Sequence, residues 1–466
     1  MKRRILMALL AVATATALAI PFIACAPEGG DVDDTDTEFN GDVSGPADYI
    51  GGAASSSGLD FELNENSQSY KIKGLTQDAE TKSDLTLPGI YKNLPVTEIA
   101  DEAFNGNEEI KNVIISDNIT RIGSNAFSSS VIESVRISSD VTVIAESAFR
   151  NCSSLLAIIF PEESKVQTIA DNAFEGCQKL ARVNMPDSVT SIGKSAFGGC
   201  SSMTEMRTGS GVQTIGDGAF KNCSALKTVV LGDSLKVIGA EAFNNCSSIK
   251  KLEIPDNVDS MGFSMLQGCS ALESLKVPFV GSERALLSGN TPVAAAEDES
   301  TEDNKEDTPT FLAYLFGVKK YTEGDQGASS STSPNVPHSL KTLTVAGGEK
   351  IAAYGLYGVR SLETLILGDG IKSLETHAFA YCENVTKLVV GSGIETLEAS
   401  LFGYRTEYNS AVQGSKPLTI FYKGLQAKWN TFLNRDIIKN STVCFYSETP
   451  VSGCWTFDEN GLPVKW

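Results

Sequence analysis

Cys223-Ser-Ala-Leu226-Lys-Thr-Val229-Val-Leu231-Gly-Asp-Ser-Leu235-Lys-Val-Ile238-Gly-Ala-Glu-Ala242-Phe243-Asn-Asn-Cys246 is one period of a pattern that recurs along most of this chain. Working outward, a Phe after Ala stands at Phe104, Phe127, Phe149, Phe174, Phe197, Phe220 and Phe243, in steps of 23, 22, 25, 23, 23 and 23. Leu266 continues the series, and Leu356, Phe379 and Phe402 resume it at steps of 23. Each period holds an apolar L-x-x-L-x-L, then V-x-x-I-G, then A-F-x-x-C. One such unit cannot bury its own apolar positions, whereas stacked units form ladders of like residues and one continuous core. The fold class is therefore a repeat solenoid of about twelve 23-residue units.

In L-x-x-L-x-L the apolar positions point inward and those between them point out. The V-x-x-I-G-x-x-A-F stretch is expected as a return arc, with Gly making the turn and Phe plugging the core. Twelve strands at the usual spacing give a sheet of roughly 55–60 Å, open and without an obvious closed pocket. With these units the sequence resembles the BspA-like branch of leucine-rich-repeat proteins over roughly residues 59–466. The resemblance implies a right-handed superhelix with a parallel β-sheet on its concave face. Leu59–Leu63 through Leu94–Ile99 looks like the opening segment of that family, Val277–Gly281 with Tyr314–Gly317 its long unit, and Phe421–Gly424 with Trp429 its closing unit.

Phe316 is expected at the Phe position of the long unit, which leaves insertions near 282–310 and 318–337. The first carries Glu297-Asp298-Glu299 and further acids, the second Gly327 followed by a Ser-rich run. Both read as solvated loops. The expected organisation is a leader at 1–24, a tether at 25–58, an opening cap at 59–98, the solenoid at 99–415 and a closing cap at 416–466.

Lys2, Arg3 and Arg4 precede an apolar run from Ile5 to Ile20, then Pro21-Phe22-Ile23-Ala24-Cys25. These are the parts of a secretory signal peptide, shorter than the roughly 20 apolar residues of a bilayer span. The stretch resembles the lipobox of bacterial lipoproteins, which implies acylation of Cys25 and cleavage before it. Residues 26–58 carry eight acidic residues and no Lys or Arg, as a solvated tether does. Such a length sets the folded part roughly 30 Å from its anchor. Asp31-Val32-Asp33-Asp34-Thr35-Asp36 also raises a calcium site, but it lacks the Gly and distal Glu of an EF-hand loop. Without residues 1–24 the formal charge moves from −20 to −23. That balance argues against nucleic acid, whose binding needs Lys and Arg on phosphates. It also leaves acyl chains as the sole link to a membrane.

Catalytic chemistry finds no foothold. The two histidines, His338 and His377, lie in different units, and no H-E-x-x-H, G-x-S-x-G or phosphate loop is present. No catalytic residue, metal or cofactor is expected. Cys152, Cys177, Cys200, Cys223, Cys246, Cys269 and Cys382 each fall three residues after the unit's Phe or Leu. A column at repeat spacing marks small buried residues, against the alternatives of metal ligands or cross-rung disulfides. Cys444 and Cys454 lie outside the column and could pair in an exported protein. Trp455–Trp466 resembles a choline-binding wall repeat in its W-x-F-D-x-N-G core, but a single copy fits an end cap better.

The charged outward positions of the strands are Arg136, Arg182, Glu205, Arg207, Lys251, Glu253, Lys276 and Lys387, six positive and two negative. A concave face of about +4 on an acidic protein is expected to attract an acidic partner. The leading expectation is an outward-facing, lipid-anchored binding or adhesion module. Its ligand site would be Arg136, Arg182, Arg207, Lys251, Lys276 and Lys387, and its partner a host or microbial surface protein or an acidic polysaccharide. A non-catalytic envelope scaffold is the alternative, and a surface hydrolase a remote one.

Overall fold

The computed structural model describes residues 57–280, 311–317, 336–402, 418–432 and 441–466, apart from 66, 78, 80–82, 353, 354, 357, 376, 377, 380, 381 and 398–400. The leader, Cys25, nearly all of the tether, the whole of the first insertion, the second but for residues 336 and 337, and His377 lie outside the described residues. What is described is a parallel β-solenoid of about 13 turns of about 23 residues.

Each turn contributes two short strands. L-x-x-L-x-L supplies a first ladder of three- to five-residue strands, such as Arg182–Asn184, Glu205–Arg207 and Thr228–Val230. These pair in parallel and in register, Arg182 with Glu205 and Val183 with Met206. The expected return arc is corrected: its x-Ile dipeptides are strands too. Thr168–Ile169, Ser191–Ile192, Thr214–Ile215 and Val237–Ile238 join a second parallel ladder that runs unbroken to Ser260–Met261. Equal spacing places the same amide beside the same carbonyl in each turn, as when the Gly216 N–H donates to Ile192 O at 2.8 Å. In this column, which Ala145 and Ala170 share, Gly answers to closeness rather than to a left-handed turn. A Cβ on Gly216 would lie 2.7 Å from Gly193 C and Lys194 N.

The turn lies around the Phe instead. Residues two before it (Ser195, Glu241) and two after it (Asn222, Asn245) have φ between +52° and +63°. Asn and Ser tolerate that region better than bulky residues do, and Gly replaces them at Gly199 and Gly218. Between these bends the Phe rings enter the core as one stack from Phe104 to Phe243. Centroids are 5.0–5.6 Å apart and planes within 9° of parallel.

The ends differ from the expected caps. Tyr70–Leu75 already pairs in parallel with Leu94–Ile99, and Asp84–Leu87 with Asn112–Ile115, so the solenoid begins inside the segment assigned to the opening cap. Antiparallel pairing there is confined to two hairpins, Leu59–Leu63 with Tyr70–Leu75 and Ile90–Tyr91 with the start of Leu94–Ile99. In the long unit, Leu266 N–H donates to Leu315 O at 2.9 Å, the bond made elsewhere to the residue before the next Phe. Phe316, fully buried, thus occupies the Phe position after the short helix Phe311–Leu315. At the far end the first ladder continues through Thr419–Tyr422, Thr442–Tyr446 and Cys454–Phe457, and antiparallel Pro463–Lys465 closes it.

Candidate interaction surface

The cysteine column is internal. Cys152 through Cys269 and Cys382 are buried, and each Sγ–H donates to the carbonyl of the preceding turn's Phe or Leu. Cys200 reaches Phe174 O at 3.4 Å, Cys223 reaches Phe197 O at 3.3 Å, and Cys382 reaches Leu356 O at 2.9 Å. A small side chain that also donates weakly suits this position. Burial pushes the Cys152 thiol up to about 11 and those of Cys223 and Cys269 up to about 12. A thiol held protonated is neither nucleophile nor metal ligand at neutral pH. Among the described residues no three His, Cys, Asp or Glu gather as a metal site.

The pairing of Cys444 with Cys454 is corrected, since both are free thiols. Cys454 is in register with Phe445, the residue after Cys444. Side chains alternate along a strand, so the two thiols leave opposite faces of the sheet.

The outward face of the first ladder falls into two parts. Toward the C-terminus it is covered: Ile366, Val389, Phe421 and Cys444 form a second apolar cluster beneath Trp455. The indole is fully buried, stands 5.4 Å from the Phe421 ring, and donates its N–H to Tyr422 O at 3.3 Å. Trp455 therefore caps the sheet face rather than lining an aromatic cage.

The rest of the face is open, and its charges are partly spent on one another. Arg207 pairs with Glu205 at 2.8 Å, Lys251 with Glu253 at 2.9 Å, and Lys276 with Asp256 at 3.1 Å. The residue before each strand adds pairs between turns, Lys111 with Glu133 and Lys250 with Glu273. Of the six expected cations, Arg136, Arg182 and Lys387 have no ion pair among the described residues. The structure thus spreads the six over three successive sheets of the first ladder and leaves only these three uncompensated.

Two features of this face escaped sequence reasoning. The first ladder is interrupted between Ala157–Ile159 and Arg182–Asn184, and again between Thr228–Val230 and Lys251–Glu253. Leu156 N–H bonds Glu133 O and Thr204 N–H bonds Ala181 O, both at 2.8 Å, yet no backbone bond crosses either seam among the described residues. Inward residues before each seam, Ile158 and Phe160, then Val229 and Leu231, are partly exposed, whereas Val183, Met206 and Leu252 are buried. The second feature is apolar: Leu156 and Ile159 are exposed beside the first seam, and Ile114 two turns before it. The 25-residue step from Phe149 to Phe174 was the available signal. Its two surplus residues lie between Pro161 and Val166, where four residues stand in place of the two, Asp187 and Ser188, between Pro186 and Val189 of the next turn.

Two in-register parallel ladders around a ring stack define a repeat solenoid. The model of the family described as "BspA type Leucine rich repeat region" matches residues 83–204, 167–282 and 337–425, in six copies. These stretches exceed half of the chain, and the chain belongs to that family. Among solved structures it is similar to a leucine-rich-repeat protein of T. pallidum, at 27% identity over 41% of this chain and 88% of that one, TM-score 0.38. It is similar to a leucine-rich-repeat protein of Bacteroides ovatus at 18% identity over 84% and 99%, TM-score 0.40. A leucine-rich cell surface protein of Faecalibacterium prausnitzii shows 21% identity over 82% and 97%, TM-score 0.39. No curated protein matches the chain.

Proposed function

We propose that the chain is an exported, lipid-anchored, non-catalytic binding protein that engages its partner through the open outward face of the first ladder. The observation that carries this reading is charge distribution: in a chain of formal charge −20, Arg136 and Arg182 stand uncompensated on that face and Lys387 at the margin of its covered part. Partners of the expected kind are host or microbial surface proteins or acidic polysaccharide. Cys25 supplies the anchor and the acidic tether the reach. Among the described residues no helix is long and apolar enough to cross a membrane.

The test compares retention of the chain on immobilised extracellular matrix and on an envelope fraction of the producing cell. Reversing Arg136, Arg182 and Lys387 to Glu together is expected to abolish retention without lowering the thermal midpoint. Added salt is expected to weaken it, since exposed charges are screened over roughly 8–10 Å at moderate ionic strength. Retention of the triple variant equal to the parent's would remove this face and move the site to the insertions at 282–310 and 318–337. Retention on the envelope fraction alone would favour a scaffold over an adhesin.

A further inference from the structure

We propose that one patch at the first seam, formed by Ile114, Arg136, Leu156, Ile159 and Arg182, binds a protein segment in which carboxylates alternate with aliphatic side chains. The proposal rests on the reading of the outward face as a binding surface and narrows it to one place and one chemistry. Ile114, Arg136 and Ile159 are in register on three successive turns, so one guanidinium is flanked by two aliphatic side chains. Ile114 is 37% exposed, Ile159 44% and Leu156 51%, the last on the same turn as Ile159. No other stretch of the open face gathers three large exposed aliphatics among the described residues. Arg182 opens the strand on the far side of the seam, where its column neighbour is the small Ala157.

Three observations point to the same occupant. First, neither Arg136 nor Arg182 has an ion pair among the described residues, although the other arginine of this face, Arg207, is matched by Glu205. Two uncompensated guanidinium groups suit two carboxylates, which they hold through paired N–H donors. Second, the seam leaves the Phe160 and Ala181 amides without protein partners among the described residues, whereas their counterparts in neighbouring turns, Met185 and Thr204, donate to Arg207 O and Ala181 O. Such amides serve a carboxylate or the carbonyl of an extended chain. Third, the exposed aliphatic side chains select protein over sugar. A sulfated or uronic polysaccharide supplies charge but has no branched apolar groups to cover Ile114, Leu156 and Ile159. Rows of apolar residues rimmed by charge mark protein contact sites.

Fluorescence anisotropy of the full chain tests this with four labelled probes: a peptide of alternating aspartate and leucine, its lysine–leucine counterpart, polyaspartate and polygalacturonate. The aspartate–leucine peptide is expected to bind and the other three to bind at least about tenfold more weakly. Arg136→Glu with Arg182→Glu, and separately Ile159→Asp, should each weaken the peptide by about tenfold or more, as loss of an interface anchor does. Lys251→Glu with Lys276→Glu, beyond the second seam, should leave binding unchanged, and all variants should keep the parent's thermal midpoint. Polyaspartate or polygalacturonate binding as tightly as the peptide would overturn the partner chemistry while leaving the outward face as the site. An equal loss in the Lys251 and Lys276 variant would overturn the patch but not the face. If the parent binds none of the probes yet loses matrix retention with its face reversed, the patch proposal fails alone. If retention also ignores the face, both fail.

Discussion

At the scale of the residue, the protein is decided by two buried columns that lie side by side. A ring removed from the middle of the Phe stack leaves a cavity with neighbours on both sides that the ladders hold in place. Phe220→Ala is expected to cost about 3–5 kcal/mol, measured by chemical denaturation. An unchanged midpoint would mean that the stack is not internal. The thiols give a pH dependence whose sign follows from their burial. Their native values, about 11 for Cys152 and about 12 for Cys223 and Cys269, lie above the ordinary 9.0. Between these limits the unfolded chain has lost thiol protons that the native one retains, so stability falls as pH rises. Each such thiol contributes a slope of about 1.4 kcal/mol per pH unit. Denaturation measured from pH 8 to 11 should show this loss, and Cys223→Ala should make it shallower. A slope that the variant leaves unaltered would exclude the column as its source. Position and burial of this column were legible from spacing alone. The bond from each thiol to the previous turn's carbonyl was not, because it depends on a backbone path that spacing does not encode.

At the scale of the element, in-register stacking governs what each strand tolerates. The second ladder brings backbones close enough that Gly216 leaves no room for a Cβ. Gly216→Val is expected to destabilise by about 2 kcal/mol or more, as overpacking does. A neutral result would show that the ladder can spread locally. The sequence pattern identified the first ladder correctly because alternation is visible over L-x-x-L-x-L. It missed the second because two-residue strands are too short to display a period of two. The seams were hidden for a related reason: a 25-residue step is visible, but its effect on a neighbouring strand is a matter of three-dimensional offset. The second seam has no change of repeat length, so spacing carries no trace of it.

At the scale of the whole molecule, the class of fold was readable from the Phe series, since only stacking satisfies a pattern repeated so often. The charge of the face was half readable. Identity gave the six cations, but pairing with Glu205, Glu253 and Asp256 cancels three, and Asp256 lies outside the strand positions that define the face. Attachment is a separate question. Cys25→Ala is expected to release the protein from the membrane fraction into the medium, read by fractionation and immunoblot. A variant that still pellets and resists salt washing would place the anchor elsewhere.

The closing hairpin has an optical consequence. The chain's three tryptophans, Trp429, Trp455 and Trp466, all lie in its last 38 residues, and Trp455 is sealed between the hairpin and the outer face of the sheet. A solenoid is held together by nearest-neighbour contacts, so its ends can open while its middle stays stacked. Intrinsic fluorescence therefore watches one end of this molecule, and the turns from Phe104 to Phe243 contribute nothing to it. A red shift in emission marks the lifting of the lid over Trp455, whereas far-ultraviolet ellipticity marks the loss of the ladders. Where the two signals part company along a denaturation curve, the gap between them measures how far the last turns unravel before the rest follows.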